Sequence, residues 1–295
     1  MSTASRRENE TGRLAVSEAD ALAEPFEGET LRLETSAMAC PWAVILNPGP
    51  PDRVMVASNA LDEVHRVEGM LTVYRDASDT VDLNRSAAGE PQVVSPELYA
   101  LLEECRRLHA ETWGAFDPAS HALQLLWRTC RLEGRIPTQP EIAAALARSG
   151  MARVQLTPGG PSAPDAEVGA SAGAAGSTPV KGGSVQFSVE GLGLNFHAVG
   201  KGYAIDRATT VLRTGGIDDF VVHGGHSSLY AAGRHAGQEG WPIALKNPLF
   251  TEESLLTLLV QDRALGTSGS NIQAFRHEGQ RYGYILDPRT GWPAE

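Results

Sequence analysis

The segment GLGLNFHAVGKGY concentrates groups able to meet a phosphate. It is not a Walker A loop: that motif needs four residues between its glycines and then Lys-Ser/Thr, whereas six separate Gly193 from Gly200, and Gly202 follows Lys201. Gly200-Lys201-Gly202 opening a helix would still make an anion site, because free N–H groups at a helix start meet an adjacent ammonium. A glycine turn with a solvated lysine is the alternative. VVHGGHSSLY sets His223 and His226 around two glycines. With no third ligand nearby, a polar loop is favoured over a metal pair, and the glycines permit close approach of backbone to a ligand or another strand. GTSGS (266–270) can turn several N–H groups and hydroxyls toward one point, as a phosphate nest or as an ordinary turn. In YILDPRTGWP, Asp287 reads as the side chain that caps an Asp-Pro turn.

The elements that must position these groups are legible from pattern. LRLETSA (31–37) and WAVILN (42–47) are short apolar runs bounded by Pro or Gly, hence strands. A helix is expected from Ser58, with Leu61, Val64 and Leu71 on one side. Ser95 caps the next helix with Pro96 in its first position, and Leu98, Leu101, Leu102, Cys105 and Leu108 recur at helical spacing, which makes Cys105 a core residue. Thr138 and Glu141 have capping-box spacing. RVQLT (153–157) and SVQFSV (184–189) read as a hairpin whose tip is lengthened by a Gly/Ala/Ser/Pro segment, 158–183, too poor in apolar residues to order itself. After Gly200 a helix runs to Gly215-Gly216, followed by short strands and a hairpin turning at Glu278-Gly279. This mixture gives an α+β class with mainly antiparallel sheets flanked by helices.

Composition bounds the function. The 295 residues suit about two domains or one large one, and 42% hydrophobic with 21% charged residues is the balance of a folding globular chain. Thirty-six acidic against 25 basic residues give a net charge of -11, which argues against general binding to nucleic acid or anionic membranes. Three separated cysteines provide neither a disulfide framework nor a structural zinc site. The first 28 residues are polar and lack a secretory h-region, and no stretch approaches a membrane span, so a cytoplasmic protein is expected. The expected organisation is a disordered segment over 1–28 and one domain over 29–295, interrupted by the 158–183 insert.

Taken with AMACPW (37–42), MLTVYRDASDTVDLNR (70–85) and WGAFDP (113–118), the order GKGYAID, Gly-Gly, TSG, DPRTG resembles the FAD:protein FMN transferase family, the ApbE-type flavin transferases, over about residues 31–293. The resemblance implies that family's architecture. It also implies FAD as substrate, Mg2+, and transfer of FMN to a threonine in the flavinylation motif of an acceptor protein, with release of AMP. By motif match it places Met38 at the isoalloxazine, Tyr74 at the adenosine, and Ala115, Phe116 and Asp117 as the AFD segment that binds FAD. Asn195, Thr267, Ser268 and Gly269 fall in the same site. Lys201 is implied at the diphosphate, as a catalytic residue together with Tyr284, and the backbone carbonyl of Ala198 at the magnesium.

The sequence departs from the family pattern at several positions. Asn195 replaces an Asp, His226 follows the glycine pair in place of Asp or Asn, and Tyr284 replaces a His. A phenol of pKa about 10 is a poorer base at neutral pH than an imidazole near 6.5. The family's two side-chain magnesium ligands follow DPRTG on a helix beyond the position of Glu295. Alternatives implied by these departures are an FAD-binding protein without transferase activity, and a pyrophosphatase that splits FAD with water.

Overall fold

The structure, a computed structural model, describes residues 22–23, 29–159, 182–225, 227–247, 254–268 and 274–294. In chain order its elements are β1 (Leu22–Ala23), β2 (Leu31–Ala37), β3 (Cys40–Leu46), α1 (Asp52–Leu71), α2 (Asp79–Ser86), β4 (Gln92–Val94), α3 (Pro96–Glu111), α4 (His121–Leu132), α5 (Gln139–Ala147), β5 (Val154–Pro158) and β6 (Gly183–Phe187). They continue with α6 (Gly200–Thr214), β7 (Phe220–Gly224), β8 (Ser228–Ala232), β9 (Trp241–Lys246), β10 (Ser254–Val260), β11 (Arg263–Gly266), β12 (Ala274–His277) and β13 (Gln280–Gly283).

Every strand pair is antiparallel. The central sheet has the order β11-β8-β7-β3-β2, beside the smaller sheets β1-β9-β10, β4-β6-β5 and β12-β13. The class is therefore α+β, as the sequence predicts. The run Trp42–Leu46 is buried throughout because the central sheet is covered on both faces. Trp42, Val44 and Leu46 join the helix-side core with Val64, Ala204, Ala208 and Leu212, while Ala43 and Ile45 meet Trp241, Ile243 and Val260 of the second sheet. Alternate residues of a strand point to opposite faces, so one apolar run serves two layers.

Ser95 caps α3 by accepting from the Leu98 N–H, and Thr138 with Glu141 forms the expected capping box. Cys105 is buried, and desolvation pushes its thiol up to about 12, consistent with a core role. One expectation of helix position needs correction. Helix α1 begins at Asp52, not near Ser58. Its first turn carries Val54 and Met55 facing solvent, so the apolar stripe starts later than the helix does. Helix α4, with Leu123, Trp127 and Cys130 buried at helical spacing, was not anticipated from the WGAFDP motif before it. Around the insert, Pro158 still pairs with Gly183, so the hairpin takes up both end residues of that segment; 160–181 lie outside the described residues. Within 1–28, Leu22 and Ala23 pair with Leu245 and Ala244, and the remainder is outside the described residues.

Candidate functional site

Helix α6 opens where the Gly200 N–H donates to the Phe196 carbonyl at 2.6 Å and the Tyr203 N–H to the Val199 carbonyl at 2.9 Å. Among the described residues the amides of Lys201 and Gly202 donate to no backbone carbonyl, and a Cβ on Gly202 would meet nothing within 4 Å. Two N–H groups at the positive end of the helix dipole therefore stand open beside the Lys201 side chain. The Ala198 carbonyl, on the exposed turn just before, likewise accepts no backbone hydrogen bond among the described residues.

Lys201 Nζ donates to Ser227 Oγ. The Ser227 carbonyl accepts from the Thr267 N–H at 2.8 Å, so the loop after β11 meets the start of α6 through Ser227. This changes the reading of GTSGS: the Thr267 amide is committed within the protein rather than turned toward a ligand. Ser268 is exposed, and Gly269 lies outside the described residues. On the other side, the Gly225 N–H donates to the Pro41 carbonyl at 2.8 Å. Gly225 has φ +60°, and a Cβ there would lie 2.9 Å from Cys40 Cβ and 3.8 Å from Lys201 Nζ, so glycine is what lets the two segments close on each other. His223, expected in a polar loop, is buried within β7; His226 lies outside the described residues.

Met38 sits in the β2–β3 turn, where it and Ala39 have φ of 51° and 58°. Its N–H donates to Glu68 Oε1 at 2.7 Å, and Arg75 Nη2 donates to Glu68 Oε2 at 2.6 Å. An open cleft beside this turn is lined by Ala39, Cys40, Pro41, Glu68 and Arg75. Tyr74, adjacent to Arg75, is 68% exposed, with the Arg128 guanidinium 5.9 Å from its ring centroid.

Asn195 is buried and fully engaged. Its N–H donates to the Pro118 carbonyl at 2.8 Å, its Nδ2 to Gln124 Oε1 at 2.6 Å, and its Oδ1 accepts from the His197 N–H at 2.9 Å. In the AFD segment Ala115 is exposed and Phe116 half-buried. Asp117 spends both carboxylate oxygens on the N–H groups of Ala119, at 2.8 Å, and Met151, at 3.1 Å. Burial nonetheless raises its pKa above the ordinary aspartate value.

The segments form a closed circuit. Tyr74 and Arg75 lead through Glu68 to Met38, Cys40 and Pro41 lead through Gly225 to Lys201, and Asn195 leads through Gln124 along α4 to Arg128 and back to Tyr74. Tyr284 is not part of it. It follows β13 in the hairpin that packs on α4 through Tyr282, 5.8 Å from the Trp127 ring, and no contact joins it to Lys201 among the described residues. Asp287 does cap its turn, accepting from the Arg289 N–H at 2.9 Å. Sequence reasoning missed Ser227, Glu68 and Gln124, which bridge segments and carry no motif. Among the described residues no group of three or more His, Cys, Asp or Glu is placed to hold a metal ion, and no helix is long and apolar enough to cross a membrane.

Residues 38–295 match the ApbE family, and the chain belongs to that family. It is 30% identical over 248 residues to the FAD:protein FMN transferase of Treponema pallidum (strain Nichols), a match covering 80% of this chain and 64% of that protein. It is 27% identical over 241 residues to the enzyme of the same name from Klebsiella pneumoniae (strain 342), covering 81% and 67%. The chain thus spans less than two thirds of the Treponema protein's length. The ApbE protein of Thermotoga maritima shares the fold with a TM-score of 0.71 at 23% identity, over 90% of this chain and 79% of that one. The flavin transferase ApbE of Vibrio cholerae does so with a TM-score of 0.70 and the same coverage.

Proposed function

We propose that this chain acts as an FAD:protein FMN transferase. The observation that carries the reading is the start of α6, where the Lys201 and Gly202 amides donate to no backbone carbonyl among the described residues and the Lys201 ammonium reaches Ser227, in a chain of the ApbE family. Such a point suits a diphosphate, since a helix N-terminus and an ammonium both favour anionic oxygen.

The reaction is a displacement at phosphorus. A threonine hydroxyl oxygen of the acceptor protein attacks the phosphorus of the FMN half of FAD, and the bond from that phosphorus to the oxygen bridging to AMP breaks. AMP leaves with the bridging oxygen, and the hydroxyl proton passes to solvent. Positioning and charge neutralisation are the main tasks for the protein in such a transfer. Lys201 and the α6 amides would hold the diphosphate, Met38 the flavin end and Tyr74 the adenosine end. Asn195 keeps the turn before α6 in place through the Pro118 carbonyl and Gln124, and Ala115, Phe116 and Asp117 would border the FAD beside it. Thr267 and Ser268 border the site behind Ser227, while Tyr284, which the family resemblance implies as a catalytic residue, follows β13 in the hairpin that packs on α4.

Magnesium suits a diphosphate substrate, and the Ala198 carbonyl offers one hard oxygen donor. The ion ordinarily takes one or two carboxylates as well. Among the described residues no group of three or more His, Cys, Asp or Glu is placed to hold an ion, so the Ala198 carbonyl does not by itself form a magnesium site, and no step above uses the ion. The buried, unbridged Cys105 and Cys130 support a reducing, cytoplasmic setting.

The test is to incubate the protein with FAD, Mg2+ and an acceptor carrying the threonine motif. A mass gain of one FMN on the acceptor, absent when its threonine is changed to valine, is expected. An unchanged acceptor mass would overturn the reading.

A further inference from the structure

Building on the transferase reading, we infer that Trp113 is a specificity-determining residue for the acceptor protein: an exposed anchor at the rim of the site, which the acceptor engages as its threonine is brought to the FAD. The argument starts from a mismatch between a residue and its backbone. Helix α3 ends at Glu111 with Thr112 as its cap. Beyond the cap the chain closes through two bonds, the Gly114 N–H to the His109 carbonyl at 2.8 Å and the Trp113 N–H to the Ala110 carbonyl at 3.1 Å. This paired closure is the Schellman motif, in which the residue after the cap turns left-handed and is usually glycine. Here it is Trp113, with φ 55°. In that conformation a Cβ crowds the following carbonyl oxygen, so the position opposes a tryptophan. Packing does not offset this, because the side chain is 85% exposed. A bulky ring held in an unfavourable conformation and left in solvent does nothing for the fold, and backbone outliers of this kind gather at functional sites.

Position decides what meets the ring. The turn is fixed on both sides: the Ala115 N–H donates to the Thr112 carbonyl at 3.0 Å, the Phe116 N–H donates to Thr112 Oγ1 at 3.0 Å, and His109 Nδ1 lies 2.9 Å from the Phe116 carbonyl. It runs without a break into the AFD segment and then to Pro118, whose carbonyl accepts from the Asn195 N–H at 2.8 Å. Arg289 of the DPRTG turn stands beside it, with Cγ 3.7 Å from where a Cβ on Gly114 would lie. Trp113 is thus placed where two motif turns meet at the edge of the candidate site. The transfer brings two molecules to that edge, FAD and the acceptor. A dinucleotide is held in a concave site that covers most of its surface, which a ring protruding from a turn does not provide. Protein interfaces, by contrast, draw most of their affinity from a few anchors, tryptophan prominent among them, that fill a recess on the partner. A ring on an already fixed backbone also loses little freedom on docking.

The experiment measures, for the full chain as parent, W113G and W113F, the KM for a protein acceptor carrying the threonine motif, kcat of FMN transfer, the dissociation constant for FAD, and melting temperature. W113G is expected to raise the acceptor KM on the order of tenfold, with kcat and FAD affinity kept. Its melting temperature is expected at or above the parent's, by up to about 2 °C, because glycine relieves the left-handed turn. W113F keeps a ring and is expected to recover most of the acceptor KM. A lower melting temperature in W113G would show that the ring supports the fold and would overturn the anchor. So would a parent-like acceptor KM in W113G, or a weakened FAD affinity, which would place the ring on the dinucleotide. A parent that transfers no FMN overturns the transferase reading and the anchor together, whereas a parent that transfers FMN alongside a W113G of unchanged KM overturns the anchor alone.

Discussion

The side-chain amide of Asn195 donates to Gln124 Oε1 at 2.6 Å, across 71 residues of chain, and so ties α4 to the turn that opens α6. The same Asn195 accepts from the His197 N–H. In a buried position this double engagement makes Asn195 a structural pin as well as a neighbour of the candidate site.

Removing the pin should therefore cost stability. Asn195→Ala leaves the His197 N–H and the Gln124 side-chain oxygen without their partner, a loss of about 0.5–1.5 kcal/mol for each hydrogen bond at these partly exposed groups. Urea denaturation of parent and variant reads it directly. Equal midpoints and slopes would show that Gln124 finds water or another partner.

Lys201→Ala should weaken FAD binding by about ten- to a hundredfold. A charge-assisted hydrogen bond contributes about 1.5–3 kcal/mol, and each 1.4 kcal/mol is tenfold in affinity. Flavin fluorescence titration measures the change. Parent-like affinity would remove the diphosphate from α6.

Cys40 should be the first thiol to react with an alkylating reagent. It is half-buried and lines the cleft beside Gly225, while Cys105 and Cys130 are buried with thiols that desolvation makes harder to ionise. Only the thiolate is nucleophilic. Mass spectrometry over time should show one fast adduct, lost in Cys40→Ser and slowed by FAD. An FAD-independent rate would place the ligand away from the β2–β3 turn.

Acid stability should depend on Glu63. Its hydrogen bond from Arg66 holds the carboxyl below 4.5, outweighing burial, with Arg207 adding to the effect. A depressed folded-state pKa gives stability that is present above the unfolded value and lost as pH falls through the folded one. The melting temperature should therefore drop on acidification below about pH 4.5, and more shallowly in Glu63→Gln than in the parent. Parallel curves would show that other carboxylates set the slope.

What the sequence discloses follows from how local each signal is. Ser95-Pro96 and the Thr138/Glu141 box announce helix starts because the cap and its partner lie within one turn. Lys201 stands out because GKG is a contiguous motif. Ser227 and Gln124 have no such mark: each matters through one contact, to Lys201 and to Asn195, that exists only once distant strands and helices are packed. Thr267 shows the converse. Its small-residue turn reads locally as a nest, yet its amide is taken by the Ser227 carbonyl. The start of α1 was obscured because Val54 and Met55 place apolar side chains in solvent.

The most direct measurement of the central claim is to quantify, in one reaction with FAD, Mg2+ and a threonine-motif acceptor, both the AMP released and the FMN joined to the acceptor. Displacement at phosphorus by the threonine hydroxyl predicts equal amounts of the two at every time point, with both strongly reduced in Lys201→Ala. AMP formed alongside free FMN and an unmodified acceptor would identify a pyrophosphatase, and bound FAD with neither product would identify a binding protein. Either result would contradict transfer as the function of this site.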